Sequence, residues 1–467
     1  MAMQNLLLKD FFLGGISDSK YTGIANSLAS IVGLNIHGEP GVIKVNQQCL
    51  KESGSTIDDL VSIQVPCSDG KTYMFGKTNG KIWSRTTGST YTLEATNTNG
   101  GILCAAEFNG YIYYASNTKL GRWLIGSAWG TRADSWATFT KGNASDHPML
   151  VKNLILYIGD GSVVAQVDDS TGSAVFTGDA LDLEDKYVVT ALGEVQEDLL
   201  VGANTSTFVN VCKVFRWNTY SVSWSVDDTV PENRINCFIP ADNFIMISAG
   251  DQGNIYTYSG SQLQQFKRIQ GDWSSSNAAN VKNGAGVCSN GLPLFALSNV
   301  SGNPALQGVY SFGSYSSNYP KVLNLEYVIS EAVLANIEIP SISLAGSDLL
   351  VAWKNGSSYG VDKVDPTVKV VGAYLETRVL TLDRMRGKDF NVNIAYRTLN
   401  GGSLTVYKKV NNGSYVEVVL INDVLKNIYT SKDKIQNANS LQLKIVFVCS
   451  GSNTNNTPEL EAIELAF

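Results

Sequence analysis

The chain has 467 residues, 44% of them hydrophobic and 16% charged, and a formal net charge of -7 at pH 7. That length holds roughly two to three ordinary domains, although closed all-β toroids run larger as single bodies. The low charge content excludes long charged helices, and the absence of any block of Lys and Arg excludes a nucleic-acid footprint; the thin acidity serves solubility.

Residues 1–55 come first. Their apolar run Leu6-Leu7-Leu8 is broken at once by Lys9 and Asp10. A secretory signal needs a longer apolar core and a membrane span about twenty such residues, so neither is expected. Gly14-Gly15 follows, then Asn26 to Val32, which reads as a brief helix, and Pro40-Gly41 leading into a short strand at Val42-Ile43-Lys44-Val45. No periodicity runs through the segment. It is expected to be an extended arm, ordered by lying over a domain or a partner.

A repeat begins near residue 56. Its unit is an apolar run of four to six residues, a turn, and a second alternating run. In the first, Thr72-Tyr73-Met74-Phe75-Gly76 meets Thr78-Asn79-Gly80 and then Lys81-Ile82-Trp83-Ser84-Arg85. Asn-Gly between such runs is the strongest short hairpin signal, because both residues tolerate positive φ. Asn109-Gly110 opens the second unit, Tyr111 to Ala115 with Leu120 to Trp123. Five more follow, at Leu154–Ile158 with Val163–Val167, Asp198–Gly202 with Lys213–Trp217, Asn243–Ile247 with Asn254–Tyr258, Leu292–Leu297 with Gly308–Phe312, and Asp348–Trp353 with Tyr359–Val364. The first runs start near 72, 111, 154, 198, 243, 292 and 348, spacings of 39 to 56 residues. Propeller blades take about 40–50 residues and solenoid coils fewer, so the spacing predicts blades, seven in this count. Runs apolar on both faces suit strands sandwiched between neighbouring sheets.

After Pro366 the pattern turns to period two. Strands are predicted at Tyr374–Leu380, Phe390–Thr398, Leu404–Val410, Tyr415–Leu420, Leu441–Cys449 and Leu460–Phe467, separated by turns such as Asn400-Gly401-Gly402 and Asn411-Asn412-Gly413. Together the chain predicts an all-β protein: an extended N-terminal arm (1–55), a seven-bladed β-propeller (56–366) and a C-terminal β-sandwich (367–467).

Residues that could carry chemistry are scattered. The histidines are His37 and His147, far apart and without triad or metal spacing. The seven cysteines, Cys49, Cys67, Cys104, Cys212, Cys237, Cys288 and Cys449, form no Cys-x-x-Cys pair and read as small buried hydrophobes made in a reducing compartment. Asp251-Gln252-Gly253-Asn254-Ile255-Tyr256 has the shape of a sialidase Asp-box and Ser68-Asp69-Gly70-Lys71-Thr72-Tyr73 nearly so, but a turn aspartate bonding backbone N–H groups explains both. A glycosidase also needs two positioned carboxylates, and Arg85, Arg122, Arg216 and Arg268 follow strand ends rather than a sugar-binding motif. Asp168-Asp169 and Asp227-Asp228 each offer two adjacent carboxylates, too few for calcium. Among Trp83, Trp123, Trp217, Trp273 and Trp353, which could stack on sugars, Trp83, Trp217 and Trp353 are expected in the core between blades. No catalytic, metal or cofactor residue is assigned.

The flanks carry a resemblance. Phe11-Phe12-Leu13-Gly14-Gly15-Ile16-Ser17-Asp18-Ser19-Lys20, with Gly33-Leu34-Asn35-Ile36-His37 and Pro40-Gly41, resembles the opening of tailed-bacteriophage virion proteins. Thr457-Pro458-Glu459-Leu460-Glu461-Ala462-Ile463-Glu464-Leu465 resembles the last strand of the β-sandwich closing many of them, and Ala373-Tyr374-Leu375-Glu376-Thr377 its first. The resemblance implies a virion structural protein, of tail nozzle or tail-tip type, that assembles into an oligomeric ring with copies of itself and other virion proteins. It implies no catalysis, no cofactor and no nucleic-acid sequence recognition. Production in the host cytoplasm without a signal peptide agrees with it. Assembly contacts are expected from the arm, through Phe11, Phe12, Leu13, Tyr21 and His37. The alternative is a virion receptor-binding protein holding host-surface glycan; a sialidase-like hydrolase ranks third.

Overall fold

The computed structural model describes residues 5–87, 89–142, 146–205, 211–259, 262–269, 284–298, 306–314, 316, 318–331, 337–385, 388–435, 438–450 and 457–466. Apart from two short 3-10 turns, its regular structure is all strand, and among the described residues no helix is long and apolar enough to cross a membrane. The chain divides into two compact units. Lys51–Gln307 with Glu331–Lys363 forms a propeller unit, and Met1–Leu50, Gly308–Ser330 and Val364–Phe467 form a flanking unit.

The propeller unit contains five four-stranded antiparallel sheets, each a meander of consecutive strands. The first is built from Val61–Pro66, Thr72–Gly76, Lys81–Arg85 and Tyr91–Thr96. The next four begin with Cys104–Phe108, Met149–Lys152, Tyr187–Val195 and Ile235–Pro240. A hairpin of Gly286–Ser289 and Leu292–Leu297 follows, then a sheet that starts with Ile337–Ala345 and Asp348–Asn355. First strands of successive sheets lie side by side, and Ile337–Ala345 lies against Val61–Pro66, so the series returns to its start. The apolar runs singled out in the sequence are the second and third strands of these sheets, except that Gly308–Phe312, expected in the sixth, groups with the flanking unit, where Gly308–Gly313 pairs with Val322–Val328. They are buried on both faces, as Thr72–Gly76 is at all five positions.

Aromatic and branched side chains fill the wedges between sheets. Tyr157, Leu192, Phe215 and Trp217 pack in one, and Met74 and Trp83 meet Leu350, Ala352 and Val361 in the wedge that closes the series. There too lies a buried ion cluster. Arg85 donates to Glu52 through Nε at 2.6 Å and Nη2 at 2.9 Å, and from Nη2 to Asp348 at 2.8 Å. Turn chemistry matches the sequence: Asn109 and Gly110 take φ of 47° and 77° and join two strands in a two-residue hairpin.

The flanking unit holds two large sheets. One is five strands in the order Asn5–Lys9, Glu459–Ala466, Lys388–Thr398, Ile428–Ile435 and Ile421–Asp423. In the other, Val322–Val328, Leu28–Val32, Tyr374–Thr377, Ala438–Val448, Ser403–Val410 and Val416–Val418 lie in that order. Their cores include Phe390, Ile394, Leu443, Ile445 and Phe447, each fully buried.

Residues 1–55 therefore differ from the extended arm expected of them. Leu28–Val32 is a strand, not a helix; it pairs antiparallel with Tyr374–Thr377 and in parallel with Val322–Val328, and all five residues are buried. A short apolar run has no period that separates helix from strand, and long-range pairing decides it. Lys44–Val45 pairs with Leu34–Asn35, and Ile43 bridges to Leu460. The boundary expected at 366/367 also moves, since 1–50 and 308–330 group with 364–467. Beyond the six strands predicted there, the structure adds Leu380–Met385, Ile421–Asp423 and Ile428–Ile435.

Candidate assembly surface

The most exposed apolar segment in the described residues lies in the flanking unit between Val416 and Leu425. Val416–Val418 pairs on one side only, with Ser403–Val410, and Ile421–Asp423 pairs on one side only, with Ile428–Ile435. Each is thus the open edge of a different sheet. Val418 at 2% exposure anchors the first. The Tyr396 hydroxyl donates to Asn422 Oδ1 at 2.7 Å and anchors the second, with Tyr429 packed on Tyr396 at 5.3 Å. Between and after these anchors Val419 is 83% exposed, Ile421 70%, Val424 69% and Leu425 98%. The turn is held by Lys426 N–H donating to Asp423 O and by an ion pair of 3.1 Å between their side chains, which also holds the Asp423 carboxyl below its usual range. The segment is thus held in place while its aliphatic side chains face water, an exposed apolar patch of the kind that interaction sites share.

The opposite edge of the five-stranded sheet is Asn5–Lys9, paired only with Glu459–Ala466. Leu8 is buried, whereas Leu7 is half exposed and Lys9 exposed, with no ion-pair partner among the described residues.

The residues expected to make assembly contacts are placed unevenly. Phe11 and Phe12 are buried in the flanking unit, Phe12 edge-on to Tyr319 at 5.2 Å, and Leu13 is half buried in the same 3-10 turn. Their burial places them in the core of the protomer, and close by the chain passes Leu323 so tightly that a Cβ on Gly15, whose φ is +55°, would meet Leu323 O at 2.6 Å. Tyr21 is exposed, with the Lys20 ammonium 5.0 Å from its ring centre. His37 is enclosed, its Nε2 3.8 Å from Glu326 Oε1. Burial pushes its pKa down, and the charge of Glu326 only partly opposes this. Sequence reasoning found the two edge strands only in part, since Ile421–Asp423 has three residues and no period; the run of aliphatics broken by Asn427 at φ 53° was the available signal.

Elsewhere, groups with chemical potential are engaged in local contacts. Asp69 accepts from Lys71 N–H at 3.0 Å and the Tyr73 hydroxyl at 2.7 Å, and Asp251 accepts from Asn233 Nδ2 at 2.6 Å. Asp168 accepts from Ser170 N–H, and Asp227 pairs with Lys213. His147 stacks on Phe139 at 4.0 Å with its Nδ1 2.8 Å from Gly159 O. All seven cysteines are free, and burial pushes the Cys104, Cys212 and Cys237 thiols up to about 12. Among the described residues no group of three His, Cys, Asp or Glu side chains gathers around a metal position. Trp83, Trp217 and Trp353 are buried, and Trp273 lies outside the described residues. One partly exposed aromatic group stands out in the propeller unit: the Arg122 guanidinium lies 4.9 Å from the Tyr111 ring centre and 4.5 Å from that of Trp136.

No protein family and no curated protein matches the sequence. Solved structures share the propeller form. Streptogramin B lyase is 12% identical over 68% of this chain and 98% of its own, with a TM-score of 0.48. The Dos1 propeller is 13% identical over 68% and 95%, with a TM-score of 0.40. The Pan2 WD40 domain of Neurospora crassa is 9% identical over 70% and 97%, with a TM-score of 0.44. Likeness this distant says nothing about chemistry.

Proposed function

We propose that this chain is a structural subunit of a tailed-bacteriophage particle, a tail component of nozzle or tail-tip type that assembles into an oligomeric ring and catalyses no reaction. The observation that carries the reading is the pair of open edges on the five-stranded sheet, with uncovered aliphatic side chains beside one of them. The flanking motifs Gly14-Gly15, Pro40-Gly41 and Thr457-Pro458 support the virion assignment by resemblance. In this reading the propeller unit contributes to seven blades, supported by first strands that recur seven times and return to their start. The flanking unit is the β-sandwich, which the N-terminal residues complete. Assembly takes place in the host cytoplasm, where seven free thiols stay reduced. Mass spectrometry and antibody-labelled electron microscopy of purified particles test the proposal: the chain should be present at fixed stoichiometry on the tail, and its absence from particles refutes it.

A second reading, host-surface glycan binding, is favoured by the Arg122–Tyr111–Trp136 group, because aromatic faces and a guanidinium are what sugars stack on and bond to. A glycan array with the wild-type chain should then give signals that Trp136→Ala removes; a blank wild-type array ends this reading.

A further inference from the structure

We infer that copies of this chain join head to tail through the five-stranded sheet of the flanking unit, the Ile421–Asp423 edge of one copy pairing with the Asn5–Lys9 edge of the next. This rests on the reading of the chain as an assembling subunit and names the interface.

The register of the sheet carries the argument. Residues opposite one another on neighbouring strands point to the same face. Leu7 stands opposite Glu464, Glu464 opposite Asn393, Asn393 opposite Thr430, and Thr430 opposite Ile421. Leu7 and Ile421 therefore end one cross-strand row. Lys9, Ala462, Ala395, Ile428 and Asp423 form the parallel row two residues along. Between them runs the row of Leu8, Ile463, Ile394, Tyr429 and Asn422, four of whose side chains are buried on the opposite, core face.

Adding a second copy edge to edge at the same level places its Leu7 against Ile421 and its Lys9 against Asp423. Aliphatic meets aliphatic, and a cation without an ion-pair partner among the described residues meets a carboxylate. Strand direction agrees as well. All four junctions in the sheet are antiparallel, so its two outer strands run the same way, and the new pair is parallel. The next copy then keeps its strand direction, and because the two joined edges are different surfaces the contact repeats from copy to copy, closing into a ring where the rotation between neighbours divides a full turn. A two-fold contact through Ile421–Asp423 alone would bring like edges together and leave Asn5–Lys9 open in every copy. One head-to-tail contact covers both edges, and Val419, Val424 and Leu425 flank it. Backbone pairing of this kind supplies affinity while the side-chain match supplies register.

Sedimentation velocity and native mass spectrometry of the full chain test the inference. Wild type should run as an oligomer. Leu7→Glu and Ile421→Lys, both at exposed positions, should each shift it to monomer, and the two substitutions in one chain should restore the oligomer by setting opposite charges across every contact. Circular dichroism and melting curves check that each variant is folded. A monomeric wild type, an Ile421→Lys chain that assembles unchanged, or a double variant without rescue overturns the head-to-tail interface. A chain that stays in purified particles while these variants assemble normally refutes the interface and leaves the virion reading intact; charge rescue in a chain absent from particles does the reverse.

Discussion

Leu154 is the second residue of a two-residue turn after Asn153, at φ 60° and 77% exposed. A branched L side chain in the left-handed region costs about 1 kcal/mol, and here no burial offsets it. Leu154→Gly should raise the unfolding midpoint, with a gain of roughly 0.5–1 kcal/mol read by urea denaturation, unless this side chain serves a partner. Arg85 presents the opposite case. Its guanidinium is 2% exposed and holds two carboxylates, so Arg85→Met leaves Glu52 and Asp348 facing each other and should cost about 3 kcal/mol. Burial by itself would raise the Glu52 carboxyl, but hydrogen bonds from Arg85, Ser89 and Tyr91 outweigh it and hold the group down at about 2. A carboxyl depressed in the folded state takes its proton more readily when unfolded. Its stabilisation is therefore present above 4.5 and lost as pH falls from there towards 2. Urea denaturation at stepped acidic pH should show that loss, with a shallower slope in Glu52→Gln.

At the scale of elements, the inner hairpins were legible in the sequence because their strands are buried on both faces and their turns use Asn and Gly at positive φ. The outer strands were not. Gln262–Lys267 lies at a sheet edge with four of its six residues exposed, so water rather than packing set its composition. Leu28–Val32 misled because its partners lie about 300 residues or more away, and the open edge strands Asn5–Lys9 and Ile421–Asp423 carry too few residues for any period to show. Of the five predicted contact residues, Phe11 and Phe12 are buried, which composition does not distinguish from an exposed aromatic pair. One glycine makes a checkable statement about sheet packing. Gly121 lies opposite Tyr114, whose ring covers it so closely that a Cβ would fall 2.3 Å from a ring carbon. Gly121→Ala should displace Tyr114 from its hydroxyl bond to Asp134 and lower stability by about 1–3 kcal/mol, measurable as a drop in melting temperature.

At the scale of the whole molecule, the eight tryptophans all lie between residues 83 and 353, within the propeller unit. Tryptophan emission therefore reports that unit alone. Deleting residues 459–467 removes the strand between Asn5–Lys9 and Lys388–Thr398, so Asn5–Lys9 loses the strand that joins it to the sheet. The shortened chain should keep the blue-shifted emission of buried Trp83, Trp217 and Trp353 and lose its oligomer. Emission that shifts to the red shows instead that the propeller unit needs its neighbour in order to fold.

The pairing of Asn5–Lys9 with Glu459–Ala466 also imposes an order in time. Asn5–Lys9 is made before the propeller segments and Glu459–Ala466 after them, so the first strand waits for its partner while those segments emerge and fold in between. Until then the early strand has no sheet to belong to and offers no edge to another copy. If copies join through this sheet as proposed above, nascent chains on one messenger are thereby kept from joining each other before the two strands have met.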